Sequence, residues 1–173
     1  MTKKIGHARR APTVSKYSEL RHDQREECLR ACRESTDVVY EGLDLQQEIQ
    51  AVAKYNHGDT AFVWKDSKLI AFAVCHCGPG TEAGNGTCYV KFGVARSGVA
   101  AGEAFDLLLD GCESMALDKG LSQIEAGVSL ARRDAYQRMR ARGFRTAIQG
   151  VTMHKPDEAR YSRRDVFVID DWR

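Results

Sequence analysis

The sequence predicts an α/β domain with a mixed, twisted sheet of about six to seven strands, flanked by about four helices. Strand-like apolar runs recur along the chain between segments whose apolar residues are spaced three or four apart, as on one face of a helix. The 173 residues are 43% hydrophobic and 29% charged. That length and composition suit one domain with one buried core.

The charge balance narrows the partners that the chain can have. It contains 26 Lys and Arg against 24 Asp and Glu, a formal net charge of +2. This is not the strong basic excess of a protein built to hold nucleic acid or an anionic membrane. No apolar run approaches the roughly 18 residues of a spanning helix, and the first residues contain no apolar signal core. We therefore expect a cytoplasmic protein with neither nucleic acid nor a membrane as partner.

The cysteines are expected to be reduced and to pack in the core, because no export signal supports a disulfide framework. Cys75 and Cys77 flank His76 in a predicted strand. Neighbouring side chains of a strand point to opposite faces, so these three cannot close on one metal ion. We therefore predict no metal. A metal- or redox-sensing domain that uses Cys75 and Cys77 is the weaker alternative. The remaining cysteines are Cys28, Cys32, Cys88 and Cys112.

The chain opens with an arm, a short strand and two helices. Residues 1–16 are basic and lack periodicity, so we expect a flexible arm or linker before a domain that spans residues 17–173. Residues 17–21 are predicted to form a short edge strand. Two helices should follow, because Asp23 and Asp44 each precede a Glu or Gln by three positions, as in a capping box.

A hairpin, a third strand and a long helix come next. Residues 60–64 and 69–74 are apolar and are separated by a polar turn, which predicts a hairpin. After a glycine-rich loop, residues 87–95 form a third strand. Small residues at 96–102 then lead into an amphipathic helix that ends before Gly120.

The last predicted elements alternate between strand and helix. Residues 121–128 form a strand, and residues 131–142 form a helix that Gly143 ends as a C′ glycine. Residues 144–154 and 161–169 are two further strands, which form a closing hairpin.

Residues 87–119 are the candidate ligand-binding segment. A helix that begins directly after a strand directs free backbone N–H groups and a partial positive charge at one point, which suits a pyrophosphate. A plain strand-to-helix connection is the alternative, since the segment has neither a Walker loop nor a dinucleotide fingerprint. The small residues that would allow a close backbone approach are Gly98, Ala100, Ala101 and Gly102.

Two local patterns suggest a known family. The strand from Cys88 to Val94 runs into the loop Gly98-Val99-Ala100 and an amphipathic helix. A strand at 124–128 precedes a helix from Ala131 and a closing Arg142-Gly143-Phe144. With the element order, these patterns resemble a divergent member of the GNAT N-acetyltransferase superfamily over about residues 17–170.

The resemblance implies an N-acyltransferase that uses acetyl-CoA as co-substrate and acylates a primary amine of a small molecule or protein by direct transfer. Acetyl-CoA would enter where strands 87–95 and 121–128 splay apart. Its pantetheine would pair with the backbone of Phe92, Gly93 and Val94. The pyrophosphate would lie on the amides of the loop, and Arg132 would meet a phosphate of CoA. The loop residues are Ser97, Gly98, Val99, Ala100, Ala101 and Gly102.

The resemblance also implies the candidate catalytic groups. A backbone N–H near Val94 would polarise the thioester carbonyl, an oxyanion-type stabilisation. Met139 stands where the family often has its acidic tyrosine, and a thioether cannot donate a proton. Tyr136, on the same helical stripe, is therefore the candidate acid; a rim residue that packs on Arg132 is the alternative. Glu125 is the candidate base, and an ordered water is the alternative. The other polar residues considered, which are better explained as structural, are Glu103, Tyr89 and His76.

One alternative function follows from a departure in the loop. The family pattern is Gln/Arg-x-x-Gly-x-Gly/Ala, but here either Ala95 stands in place of the Gln or Arg, or Val99 in place of the glycine. The alternative is a catalytically degenerate domain of the same fold that acts as a binding or dimerisation module. The resemblance is also compatible with a homodimer.

Overall fold

The computed structural model describes residues 1–4, 14–151 and 166–170. Within these ranges the chain forms seven strands, four α-helices and one short 3₁₀ helix. The strands are β1 (Thr2–Lys4), β2 (Val14–Lys16), β3 (Gly58–Lys65), β4 (Lys68–Gly78), β5 (Gly84–Ala95), β6 (Gln123–Ala126) and β7 (Phe167–Asp170). The α-helices are α1 (His22–Asp37), α2 (Gln46–Lys54), α3 (Ala101–Asp118) and α4 (Arg133–Ala141).

All seven strands belong to one mixed sheet with the order β1-β6-β5-β4-β3-β2, and β7 also pairs with β5. Every pair is antiparallel except β5 and β6, which run parallel. β4 covers one edge of β5. The other edge carries β6 along Thr87–Val90 and β7 along Phe92–Ala95. The predicted mixed sheet of six to seven strands is confirmed.

The helices cover both faces of the sheet, as predicted. On one face, Phe105 and Leu108 of α3 and Met139 of α4 pack against the strands. On the other face, Leu29 of α1 and Ile49 of α2 pack against a second set of sheet side chains. All five are at most 5% exposed. Burying an aliphatic or aromatic side chain of this size stabilises a fold by about 1.5–3 kcal/mol, so these helices are held mainly by their apolar faces.

The N-terminal segment differs from its prediction. Thr2–Lys4, inside the predicted basic arm, pairs with β6 as β1. Tyr17–Glu19 is a 3₁₀ helix rather than the start of an edge strand, and the strand beside β3 is formed by Val14–Lys16. Two tertiary contacts hold this 3₁₀ helix in place. The Tyr17 ring packs 6.4 Å from that of Phe62, and the Ser18 N–H donates to Asp59 Oδ1 at 3.2 Å.

Two helix starts agree with the predicted positions to within a few residues. α1 begins at His22, where the Arg21 N–H donates to Gln24 Oε1 at 3.0 Å. The predicted capping boxes differ in detail: the N-cap of α2 is Leu45, without a side-chain cap bond, and Asp44 Oδ1 instead accepts the Gln46 N–H at 2.9 Å. None of the helices in the described residues is both long and apolar enough to cross a membrane.

The predicted closing hairpin is confirmed only in its last strand. Residues 144–151 form no strand, and their single ladder contact is the bridge between Arg145 and Thr2. The physical reason is that β1 already occupies the outer edge of β6, so the chain after Phe144 meets β1 instead. Residues 152–165, which include the rest of the predicted hairpin up to β7, lie outside the described residues.

Candidate active site

The parallel strands β5 and β6 separate at a β-bulge. Val74 of β4 pairs with Phe92 of β5. The next residue of β4, Cys75, pairs with Val90, so Lys91 is an extra residue without a partner in the β4 ladder. β6 pairs with β5 as far as Val90 and ends at Ala126. The bulge therefore marks the point where the gap between the two strands opens.

In this structure β7 fills that gap. It pairs antiparallel with Phe92–Ala95 of β5. On its other side, the Asp170 N–H donates to the carbonyl of Gly127, just after β6, at 3.2 Å. The backbone edge that the sequence analysis assigned to pantetheine therefore carries β7, and a pantetheine chain and β7 cannot occupy it together.

A short loop joins the end of β5 to the first turn of α3. Gly98 has φ +139°, which L side chains rarely adopt, and a Cβ there would meet no atom within 4 Å. Its carbonyl accepts the Ala101 N–H at 3.0 Å, so the Ala101 amide is engaged within the turn. The Ser97 Oγ is buried without a hydrogen-bond partner among the described residues. A buried hydroxyl beside the free N–H groups of a first helical turn fits a phosphate oxygen.

Arg138 of α4 adds a positive charge at the same helix terminus. A Cβ added at Gly102 would lie 2.6 Å from Arg138 Cζ, so the guanidinium packs directly on the first turn of α3. It pairs with Asp106 of α3 and lies 5.7 Å over the ring of Phe167. The Arg138 side chain remains 40% exposed. The sequence analysis did not single out Arg138, because only the packing of α4 on α3 distinguishes it from the other arginines of its helix.

Arg132 lies elsewhere than the sequence analysis placed it. Its side chain is 2% exposed, and its Nη1 donates to Asp170 Oδ2 at 2.6 Å. Its other terminal nitrogen bonds to the hydroxyl of Tyr40, which also bonds to Asp170. In this structure the Arg132 guanidinium therefore binds the end of β7, not a surface-bound phosphate.

The pKa values in this cluster follow from burial and charge. Burial opposes ionisation of Arg132, but the adjoining Asp170 carboxylate outweighs it and raises the pKa of Arg132 above its ordinary value. The pKa of the Tyr40 phenol is raised well above its ordinary value. Burial is the main cause, and the adjoining Asp170 carboxylate raises the pKa further. The cluster therefore contains a cationic Arg132 and a neutral Tyr40 phenol around neutral pH.

Tyr136 and Glu125 lie on separate elements. Tyr136 is half-buried on α4, and its backbone N–H donates to the Arg132 carbonyl at 3.1 Å. Glu125 is half-buried on β6, in register with Tyr89 of β5, and accepts a hydrogen bond from Gln123 Nε2 at 3.2 Å. Its β5 partner, Tyr89, precedes the bulge at Lys91 by two residues. Glu125 therefore lies where β5 and β6 are still paired.

A histidine–carboxylate pair lies in the same cross-strand row. His76 of β4 is in register with Tyr89, and its Nε2 is 2.7 Å from Glu48 Oε1 of α2. The His76 side chain is 13% exposed. The imidazole can accept or donate a proton beside the bulge. Glu48 is 28 residues away in sequence on a helix, so no local pattern indicates this pair.

Five of the six cysteines are buried. All six are free thiols. Cys28 and Cys32 are each 1% exposed on one face of α1, as predicted. Cys75 Sγ lies 3.8 Å from Cys112 Sγ in the core between β4 and α3. Within the described part of the chain, no group of three or more His, Cys, Asp or Glu residues is arranged to hold a metal ion.

Comparison with known sequences and structures identifies the fold. No protein-family model matches the sequence, and no curated protein matches it. Several solved structures do match. The aminoglycoside N-acetyltransferase AAC(6')-Iy in complex with CoA superposes with a TM-score of 0.62 and 13% identity, covering 86% of this chain and 98% of that enzyme.

Two further solved structures match this chain with somewhat lower TM-scores. The aminoglycoside 6'-N-acetyltransferase AAC(6')-Ih from Acinetobacter baumannii has a TM-score of 0.57 and 14% identity, over 84% of this chain and 99% of that one. A protein from Thermus thermophilus has a TM-score of 0.54 and 18% identity, over 77% of this chain and 94% of that one. At such identities the likeness shows a shared fold.

Proposed function

We propose that this chain, which has the GNAT acetyltransferase fold, is an acyl-CoA-dependent N-acetyltransferase that acts on a primary amine of a small molecule or protein. One observation carries the proposal. A long strand runs parallel to a short one, parts from it at the Lys91 bulge, and leads directly into the N-terminus of α3. A solved neighbour with this fold is an N-acetyltransferase in complex with CoA.

The loop before α3 would hold the pyrophosphate of acetyl-CoA. The Ser97 hydroxyl has no partner among the described residues, and the Arg138 guanidinium packs on Gly102 in the first turn of α3. Together with backbone N–H groups of residues 97–100 and 102, these groups would be suited to a phosphate. The Phe92–Val94 edge would pair with the pantetheine once it is free of β7. Acetyl-CoA would supply an activated acetyl group, and a backbone N–H near Val94 would stabilise its carbonyl oxygen.

Proton transfer would accompany the transfer of the acetyl group. The amine nitrogen forms a bond to the acetyl carbon as the carbon–sulfur bond breaks, so the amine loses a proton and the thiolate gains one. We assign the base to Glu125 and the acid to Tyr136. His76, bonded to Glu48, is a second candidate base beside the bulge.

Titration with acetyl-CoA followed by a turnover assay tests this function. We expect saturable binding by calorimetry, and acetyl-CoA at about 100 times its Kd should add about 2.7 kcal/mol to the free energy of unfolding. Addition of primary amines should release free CoA thiol. Tyr136→Phe deletes one hydroxyl and should lower kcat with KM nearly unchanged. The proposal is contradicted if millimolar acetyl-CoA neither binds nor stabilises the wild-type protein and also fails to bind variants in which the hold on β7 is weakened.

Arg138→Ala is expected to weaken acetyl-CoA binding about tenfold, equivalent to about 1.4 kcal/mol. The substitution removes the cation that packs on the first turn of α3. Arg140→Ala on the same helix is the matched control, because Arg140 is exposed. Calorimetry of both variants measures the difference, and equal affinities would show that Arg138 does not contact the cofactor.

The second candidate function is a non-catalytic binding or dimerisation module with the same fold. The occupation of the β5 edge by β7 favours it, because an edge that is already paired offers no backbone groups to pantetheine. A folded protein that fails to bind acetyl-CoA in the titration above, even when β7 is destabilised, would support this function over transfer.

A further inference from the structure

β7 is short, yet it is held on both edges and both faces. It has four residues, paired with Phe92–Ala95 on one side and bonded to Gly127 on the other. Val168 and Ile169 are fully buried in the hydrophobic clusters on opposite faces of the sheet. The strand therefore occupies the space between β5 and β6 completely at this point.

A polar cluster that we call the latch fixes the end of β7. It consists of Tyr40, Arg132 and Asp170, which come from the segment after α1, the residue before α4 and the last residue of β7. The Arg132–Asp170 ion pair is 2.6 Å long, and the two side chains are 2% and 5% exposed. The Tyr40 hydroxyl bonds to both partners, and its ring lies 5.6 Å from the Arg132 guanidinium carbon.

We propose that β7 is an autoinhibitory strand, held by the latch, which must leave β5 before acyl-CoA can bind. The proposal rests on the proposed function, because it concerns access to the same binding edge. The backbone groups of β5 that β7 uses are those that pantetheine would use. The apparent Kd for acyl-CoA is therefore the intrinsic Kd divided by the fraction of molecules in which β7 is released.

A reversible covalent lock tests the proposal directly. A Cβ added at Gly93 would lie 3.5 Å from the Ile169 Cβ, within the range for a disulfide. In the double variant Gly93→Cys/Ile169→Cys, oxidation would tie β7 to β5. Because Gly93 lies on the proposed pantetheine edge, the comparison is between the two states of this one variant: we expect oxidation to abolish the acetyl-CoA binding that its reduced form shows in calorimetry. Wild type under the same two conditions controls for its six native thiols.

Weakening the latch should have the opposite effect. Tyr40→Phe removes the hydroxyl that bonds to Arg132 and Asp170, so we expect acetyl-CoA to bind about fivefold more tightly. Tyr55→Phe is the matched control, because Tyr55 is 60% exposed and outside the latch. This variant also decides the question if the cysteine pair prevents folding.

The outcomes separate the two proposals. Measurable and equal acetyl-CoA binding by the oxidised and reduced double variant overturns the autoinhibitory role and leaves the proposed function in place. If the double variant does not fold, or binds in neither state, an unchanged affinity in Tyr40→Phe overturns the autoinhibitory role instead. Absence of binding in wild type, Tyr40→Phe and the reduced double variant overturns the proposed function itself. Binding in Tyr40→Phe but not in wild type supports both proposals.

Discussion

Arg132→Met is expected to lower the free energy of unfolding by about 3–5 kcal/mol, because it leaves a buried carboxylate without its cation. Asp170 loses its ion-pair partner at a position where its side chain is 5% exposed. The Tyr40 hydroxyl also loses its bond to Arg132. Water cannot readily replace the guanidinium, so most of the desolvation cost of the carboxylate remains.

Urea unfolding at neutral pH measures this loss. The double variant Arg132→Met/Asp170→Leu should recover much of it, because replacing both charges by apolar groups removes the unpaired charge. Arg133→Met is the control, since Arg133 is the next residue along the chain and exposed. A loss below about 1 kcal/mol in Arg132→Met would mean that the pair contributes as little as a surface ion pair.

Gly58→Ala is expected to destabilise the protein by about 3 kcal/mol or more, through a clash with backbone. Gly58 begins β3 with φ +151° and pairs with His76 of β4. A Cβ there would overlap the carbonyl oxygen of Cys75 and lie 2.9 Å from its carbonyl carbon. Cys75 lies in the centre of the sheet and is fully buried, so its backbone cannot move aside without disturbing both adjoining strands.

Gly42→Ala separates the clash from the effect of backbone conformation. Gly42 also has a positive φ, +80°, but a Cβ there would meet no atom within 4 Å. In this control the free energy of unfolding should fall by only about 1–2 kcal/mol, the cost of placing a residue with a Cβ in a left-handed conformation. Thermal and urea unfolding of both variants give the comparison. Equal losses of unfolding free energy in the two variants would show that the close approach of β3 to the Cys75 carbonyl does not contribute to the destabilisation.

The fold class and the order of elements from α1 to α4 were predictable because they depend on local patterns. The hairpin of β3 and β4, the strand β5 and the apolar face of α3 all follow from residue periodicity and from turn residues close in sequence. The bond from the Gln46 N–H to the Asp44 carboxylate is equally local. The short strands β1 and β2 were not predicted, because three-residue strands carry too little periodicity to be recognised.

The candidate site was predictable only in part, because only some of its features are formed by residues close in sequence. The small-residue loop before α3 is visible in the sequence, and its interpretation as a phosphate site remains a proposal. The roles of Arg132 and Arg138 depend on partners far away in sequence. Tyr40 and Asp170, which both bond to Arg132, are 130 residues apart, and Asp106 precedes Arg138 by 32. No local pattern can report contacts over such separations.

The sequence by itself determined that this protein is an α/β domain whose third long strand runs into a helix through a loop of small residues. Only the tertiary structure decided what lies beside that strand. β6 and β7 both satisfy its hydrogen-bonding edge, and they divide it at the Lys91 bulge. The physical reason is that apolar periodicity specifies which side chains are buried, whereas the choice between edge partners depends on side chains that meet only in the folded chain.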